Sequence, residues 1–234
     1  MKKFRPPRWS WLVLLPLLAL LVGLGSWQVR RAHEKEALQV AYEQAAKREP
    51  EDLRAKIVAA DLPIPVRARG SYLAGKELLL DNQSHDGHPG YHVWTPMRLV
   101  TGGLVIVDRG WIERSASNDL PEISPPPVGM AAIRGLWRTL PQPGMRLPAE
   151  PLAKLTKFPA TVEYPTANDL RTLLGEPVVA GVLQLDSSEE GGFVREWNSV
   201  AALPPSRHYG YATQWFALAA ALIVLFVVVN RKPV

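Results

Sequence analysis

The chain is 234 residues long, with 47% apolar and 21% charged side chains, a globular mix that excludes an intrinsically disordered protein. Its net charge of +5 is made in the two tails, by Lys2, Lys3, Arg5 and Arg8 at one end and Arg231 and Lys232 at the other, while residues 28–208 carry 21 basic against 22 acidic groups. Positive charge confined to short flanks is no nucleic-acid footprint, so DNA or RNA binding is excluded as a primary function.

Residues 9–27 (WSWLVLLPLLALLVGLGSW) hold no charge. A spanning helix needs about 20 apolar residues, and this run is read as a first transmembrane helix. Trp9, Trp11 and Trp27 bracket it at headgroup depth. A signal peptide cleaved near Gly23-Leu24-Gly25 is the alternative reading, and the second apolar run would still anchor the chain. Residues 28–48 contain no Gly or Pro and are rich in helix formers, which predicts a helix continuing outward until Pro50. The polar stretch 49–61 is expected to hold a second short helical turn.

From residue 62 the pattern changes to short apolar or alternating runs: 62–72, 76–83, 90–100, 103–112, 129–140 and 176–186. Gly, Pro, Asn and Asp clusters such as Ser84–Gly90 separate them. Residues 166–175 (TANDLRTLLG) read as a short helix with a polar start and a Gly stop. The second charge-free run, 209–229, begins with Tyr209, Tyr211 and Trp215 and is read as the second span. Ser206 is its expected N-cap, with the helix starting near Arg207.

The expected architecture is a membrane protein in which two transmembrane helices flank a mainly β periplasmic domain, a small antiparallel barrel or sandwich with some helix (α+β). Its divisions are a cytoplasmic tail (1–8), the first span (9–27), a helical extension and linker (28–61), the β domain (62–208), the second span (209–229) and a second cytoplasmic tail (230–234). The Lys/Arg bias of the tails places both termini in the cytoplasm of a bacterial inner membrane, although Arg30, Arg31 and Lys35 oppose it.

The absence of cysteine removes disulfides, thiol chemistry, Cys-based metal sites and C-x-x-C-H haem attachment. No nucleophile elbow, P-loop, dinucleotide fingerprint or H-E-x-x-H is present. His85, Asp86, His88 and His92 form the densest set of metal-type donors, the ones a zinc- or copper-dependent periplasmic enzyme would use. Gly87, Pro89 and Gly90 prevent a helix from presenting these imidazoles together, and a polar hairpin loop is the preferred reading. Asp108-Arg109-Gly110-Trp111 admits a substrate clamp, but a strand-end ion pair with a bulge glycine is preferred.

At about 100° per residue, His208, Tyr211 and Trp215 fall on one helical face at the outer membrane boundary. Neutral imidazole is a common axial ligand of haem iron, and Arg207, or Arg30 and Arg31, could pair with haem propionates. The competing reading is an aromatic belt with an interfacial histidine, which these residues alone favour.

Three blocks together resemble the surfeit locus protein 1 family, membrane proteins that assist assembly of cytochrome c oxidase. They are Gly25-Ser26-Trp27-Gln28-Val29-Arg30-Arg31 with Lys35, similar to the family's G-x-W-Q-x-x-R signature; Gly90 to Trp111, with Gly90-Tyr91, Thr95-Pro96 and Val107-Asp108-Arg109-Gly110-Trp111; and Pro205 to Phe216 (PSRHYGYATQWF). The family's usual Asn in the second block is Asp108 here. The resemblance implies a chaperone rather than an enzyme, working on the haem a centre of the oxidase's catalytic subunit. It further implies haem a as a transient cargo with His208 as candidate ligand, and the oxidase catalytic subunit, the haem a synthesis machinery and membrane lipid as partners. A scaffold that stabilises an oxidase subunit without touching haem is the alternative.

Overall fold

A computed structural model describes residues 2–54, 62–115, 119–142, 155, 157–197 and 204–233. In chain order the elements are β1 (Lys2–Phe4), α1 (Arg8–Ala46), β2 (Glu51–Asp52), β3 (Ile64–Tyr72), β4 (Leu78–His85), β5 (His88–Leu99), β6 (Leu104–Glu113), β7 (Met130–Arg138), β8 (Ala160–Val162), α2 (Ala167–Leu174), β9 (Val178–Leu185), α3 (Pro205–Val229) and β10 (Arg231–Pro233). They fall into two compact units, one of Met1–Ala41 with Asn198–Val234, the other of Tyr42–Trp197.

The first unit is a helical hairpin. Both α1 and α3 are long and apolar enough to cross a membrane, and most of each apolar stretch is exposed within the protein. Helix α1 carries its covered residues at Leu14, Leu18, Leu21, Gly25, Gln28, Ala32 and Lys35, alternating steps of four and three that keep one face toward a neighbouring helix. On α3 the matching stripe is His208, Ala212, Trp215, Ala219 and Leu222. Gly25 marks a close approach: a Cβ there would lie 2.6 Å from the Phe216 ring. At the opposite end Trp11 and Phe226 meet edge to face at 5.0 Å, and β1 pairs antiparallel with β10. Helix α3 starts earlier than expected, with Pro204 as N-cap and Pro205 in the first turn, so Ser206 is not the cap. Proline suits that position because its φ is already helical and the first N–H groups have no partner in the helix.

The second unit is built on one mixed sheet in the order β2-β3-β7-β9-β6-β5-β4-β8. Each of the six expected strand segments forms, as β3, β4, β5, β6, β7 and β9. The arrangement corrects the barrel-or-sandwich expectation. Strand β3 reaches across to pair with β5 over Gly70–Tyr72, but β2 and β8 remain as outer strands and the sheet is not a closed barrel. Three of its pairings are parallel: β2 with β3, β4 with β8, and β6 with β9. Of the helical turn expected in 49–61, residues 51–52 form β2, 49–50 and 53–54 carry no helix, and 55–61 lie outside the described residues.

A single sheet suffices because both of its faces are covered. Strand β6 is buried from Leu104 to Trp111, and its side chains alternate between two cores. Val105 and Val107 join Val66, Met97, Trp137 and Leu183 on one side. Ile106 joins Leu78, Trp94, Val182 and Leu170 of α2 on the other. Helix α2 forms as expected, with Thr166 and Asp169 in a reciprocal capping box and Gly175 in the left-handed conformation at its end. The last turn of α1 lies in this unit, where Tyr42 is buried under the Arg138 guanidinium and its hydroxyl lies 3.5 Å from Gln184.

Candidate functional site

Among the described residues, the sequence-predicted site residues fall in two places, one in each unit. In the hairpin, the first turn of α3 sets the half-buried His208 on the stripe facing α1, and its Nδ1 lies 2.8 Å from the Gln28 side-chain oxygen. One residue on, the Tyr209 hydroxyl donates to Glu36 at 3.1 Å, and the Tyr209 ring meets His33 at 6.1 Å. Trp215 lies on the same stripe as His208, two turns further along. Tyr211 falls at the stripe's border and is 48% exposed. Arg207 and Arg30 are exposed, and Arg31 pairs with Glu34 on the helix surface at 2.8 Å. The expected face therefore joins His208 to Trp215, while Tyr211 and the arginines stand outside the helix contact.

In the sheet unit, the histidines separate. Asp86 and Gly87 both have positive φ (49° and 82°), the two-residue turn that turns β4 back into β5. His85 and His88 face each other across it, as a polar hairpin requires. His85 packs on the Trp111 ring, His88 pairs with Glu113 at 3.0 Å, and His92 bonds Asp108 at 2.9 Å. Among the described residues no group of three or more His, Asp or Glu side chains is placed to hold a metal ion.

The Asp108-Arg109 ion pair does not form; each residue turns to a different partner. Between His92 and Trp94 the register with β6 shifts, so that Arg109 and Gly110 bulge out of the ladder. The bulge glycine was expected and is present, with φ 113°. Strand β6 does not end there but continues to Glu113. Asp108 accepts from His92 and from the Gly110 N–H. Arg109, only 1% exposed, donates to the carbonyls of Gly191 (2.6 Å) and Ser124 (2.9 Å) and lies over the Phe193 ring. It ties two irregular segments to the sheet, a packing role and not an open clamp. Burial pushes the His92 pKa down, but the charge and hydrogen bond of Asp108 together push it up and prevail. Trp197 completes this cluster, its ring 5.7 Å from His92 and its indole N–H donating to the Leu185 carbonyl at 2.9 Å.

Sequence reasoning placed Gln28 in the first resemblance block but gave it no role beside His208, and it missed Trp197. Gln28 had a usable signal, a polar residue recurring at four-three spacing on an otherwise apolar or small helical stripe. Trp197 had none, since its partners come from β5 and β9.

These observations define a class: a protein with a mainly sheet unit between two helices that are each long and apolar enough to cross a membrane. The model of the SURF1 family matches residues 15–220, and the chain belongs to that family. It is 26% identical over 249 residues to a SURF1-like protein of Rickettsia felis, covering 95% of this chain and 97% of that one. A SURF1-like protein of Rickettsia conorii is 26% identical over 232 residues, covering 91% and 88% of the two chains. A third relative, the cytochrome oxidase assembly protein SHY1 of Saccharomyces cerevisiae, is 35% identical over 95 residues, which are 38% of this chain and 24% of the yeast protein.

Proposed function

We propose that the protein is a membrane-anchored assembly factor for cytochrome c oxidase, holding haem a for the catalytic subunit without making or breaking a covalent bond itself. Family membership and the name of the yeast relative support the assembly role. Helices α1 and α3 span the bacterial inner membrane, both termini are cytoplasmic, and the sheet unit works in the periplasm, as the basic tails favour. The oxidase catalytic subunit and the enzymes that make haem a are the partners this role requires.

The observation that carries the haem reading is His208: a half-buried imidazole between two apolar helices, bonded through one nitrogen only to a neutral side chain. That donor set fits haem a, whose iron takes a neutral imidazole and whose long apolar tail belongs in lipid. Arg207, Arg30 and Arg31 supply cations for the propionates, and Trp215 and Tyr211 supply aromatic surface beside the ligand.

Absorption spectra of detergent-purified protein from haem a-producing cells, beside His208→Ala, test this. The expected result is a haem a band in the wild type that is lost or shifted in the variant. A colourless wild type that still co-purifies with an oxidase subunit would replace this reading by the haem-free scaffold.

A further inference from the structure

A glutamine at the centre of a helix contact needs a reason. Gln28 sits on the covered stripe of α1 between Gly25 and Ala32, where an apolar side chain would leave no amide to satisfy. Its partner is His208, which lies 180 residues away along the chain.

The orientation of the Gln28 amide decides the histidine's proton. With Oε1 turned to the ring at 2.8 Å, that carbonyl oxygen can only accept, and the Nδ1 facing it then carries the hydrogen. A neutral imidazole with hydrogen on Nδ1 has its lone pair on Nε2. Metal-binding histidines are held in the same way, with the second ring nitrogen donating to a carbonyl, carboxylate or water that fixes the tautomer and the ring plane. The Tyr209 hydroxyl, next along the helix, is already turned away to Glu36, so it does not compete for the ring.

We infer that Gln28 is a positioning residue for His208: it selects the Nδ1-protonated tautomer before any ligand arrives and leaves Nε2 free as the iron-binding atom. This inference rests on the haem reading above, but its first part concerns the protein without haem.

Full-length protein in detergent, labelled with ¹⁵N-histidine and free of haem, provides the direct measurement. The His208 signals are those missing from His208→Ala. In the wild type they should report Nδ1–H; Gln28→Leu should release the ring to the Nε2–H form or a mixture, and Gln28→Glu, which keeps an acceptor, should restore Nδ1–H. Titration of the same proteins with ferric haem b should then show Gln28→Leu binding about 10–100-fold more weakly, with Gln28→Glu recovering most of the loss. An unchanged His208 tautomer in Gln28→Leu overturns the inference even if His208 binds haem. A wild type with the expected tautomer that takes up neither added haem b nor, in haem a-producing cells, haem a leaves Gln28 as the orienting partner and overturns both the ligand role and the haem reading.

Discussion

At the residue scale, the His92–Asp108 pair is the sheet unit's clearest titratable device. The His92 ring is mostly buried, and the Asp108 carboxylate faces its Nδ1 with both oxygens. Because its folded pKa lies above the ordinary 6.5, the protonated ring is bound more tightly in the folded state than in the unfolded chain. Its stabilising contribution is complete below that ordinary value and fades as pH rises through the higher folded one. Urea unfolding at pH 6, 7 and 8 should therefore show the wild type losing stability with rising pH. Asp108→Asn keeps an acceptor but no charge, and should flatten that slope; an equal slope in both proteins would remove Asp108 as the cause. Gly110 supplies a second residue-level prediction. Its φ of 113° belongs to glycine, and a Cβ would lie 2.5 Å from the Val194 carbonyl oxygen. Gly110→Ala should cost about 1–3 kcal/mol by strain alone, read as a lower denaturation midpoint.

At the element scale, the helix pair depends on a few small residues. Gly25 gives the Phe216 ring its place, and Ala212 and Ala219 are buried on the facing helix. Gly25→Val should force the ring out and weaken the pairing by about 1–3 kcal/mol. Phe216→Ala in the same chain should recover part of that loss, because the ring is what the new side chain strikes. Thermal unfolding of the two single variants and the double variant in detergent measures the coupling; strictly additive losses would place the damage elsewhere. Strand boundaries and turns belong to the same scale, and most were legible. Asp86-Gly87 and the Thr166–Gly175 signals are local chemistry, so the hairpin and α2 formed where the residues asked for them. The caps of α3 were less legible, since Pro205 and Ser206 both favour a first turn and only the folded backbone chooses between them.

At the scale of the whole molecule, the protein has two compact units with separate interiors, and stability should divide accordingly. Trp137 is fully buried on β7 against the β3 and β9 side of the sheet. Trp137→Ala should lower the stability of residues 42–197 by about 3–5 kcal/mol. Hydrogen exchange in detergent should then show sheet amides losing protection while those of α1 and α3 in the hairpin keep theirs. Loss of protection in both units together would mean that they unfold as one.

The sequence by itself determined the two apolar helices, the long polar continuation of the first, six strand segments and the polar hairpin at residues 84–90. Each follows from side chains close together in the chain, through apolar run length, helix propensity or turn conformation. Only the tertiary structure decided the strand order, the parallel pairing of β6 with β9, the separation of Asp108 from Arg109, and the meeting of Gln28 with His208. An alternating strand carries the same pattern whether its neighbour runs parallel or antiparallel, and a charged residue does not record which distant group will satisfy it. Those choices are made when both faces of the sheet and the facing sides of two helices are buried at once, because each buried polar group must then find a partner.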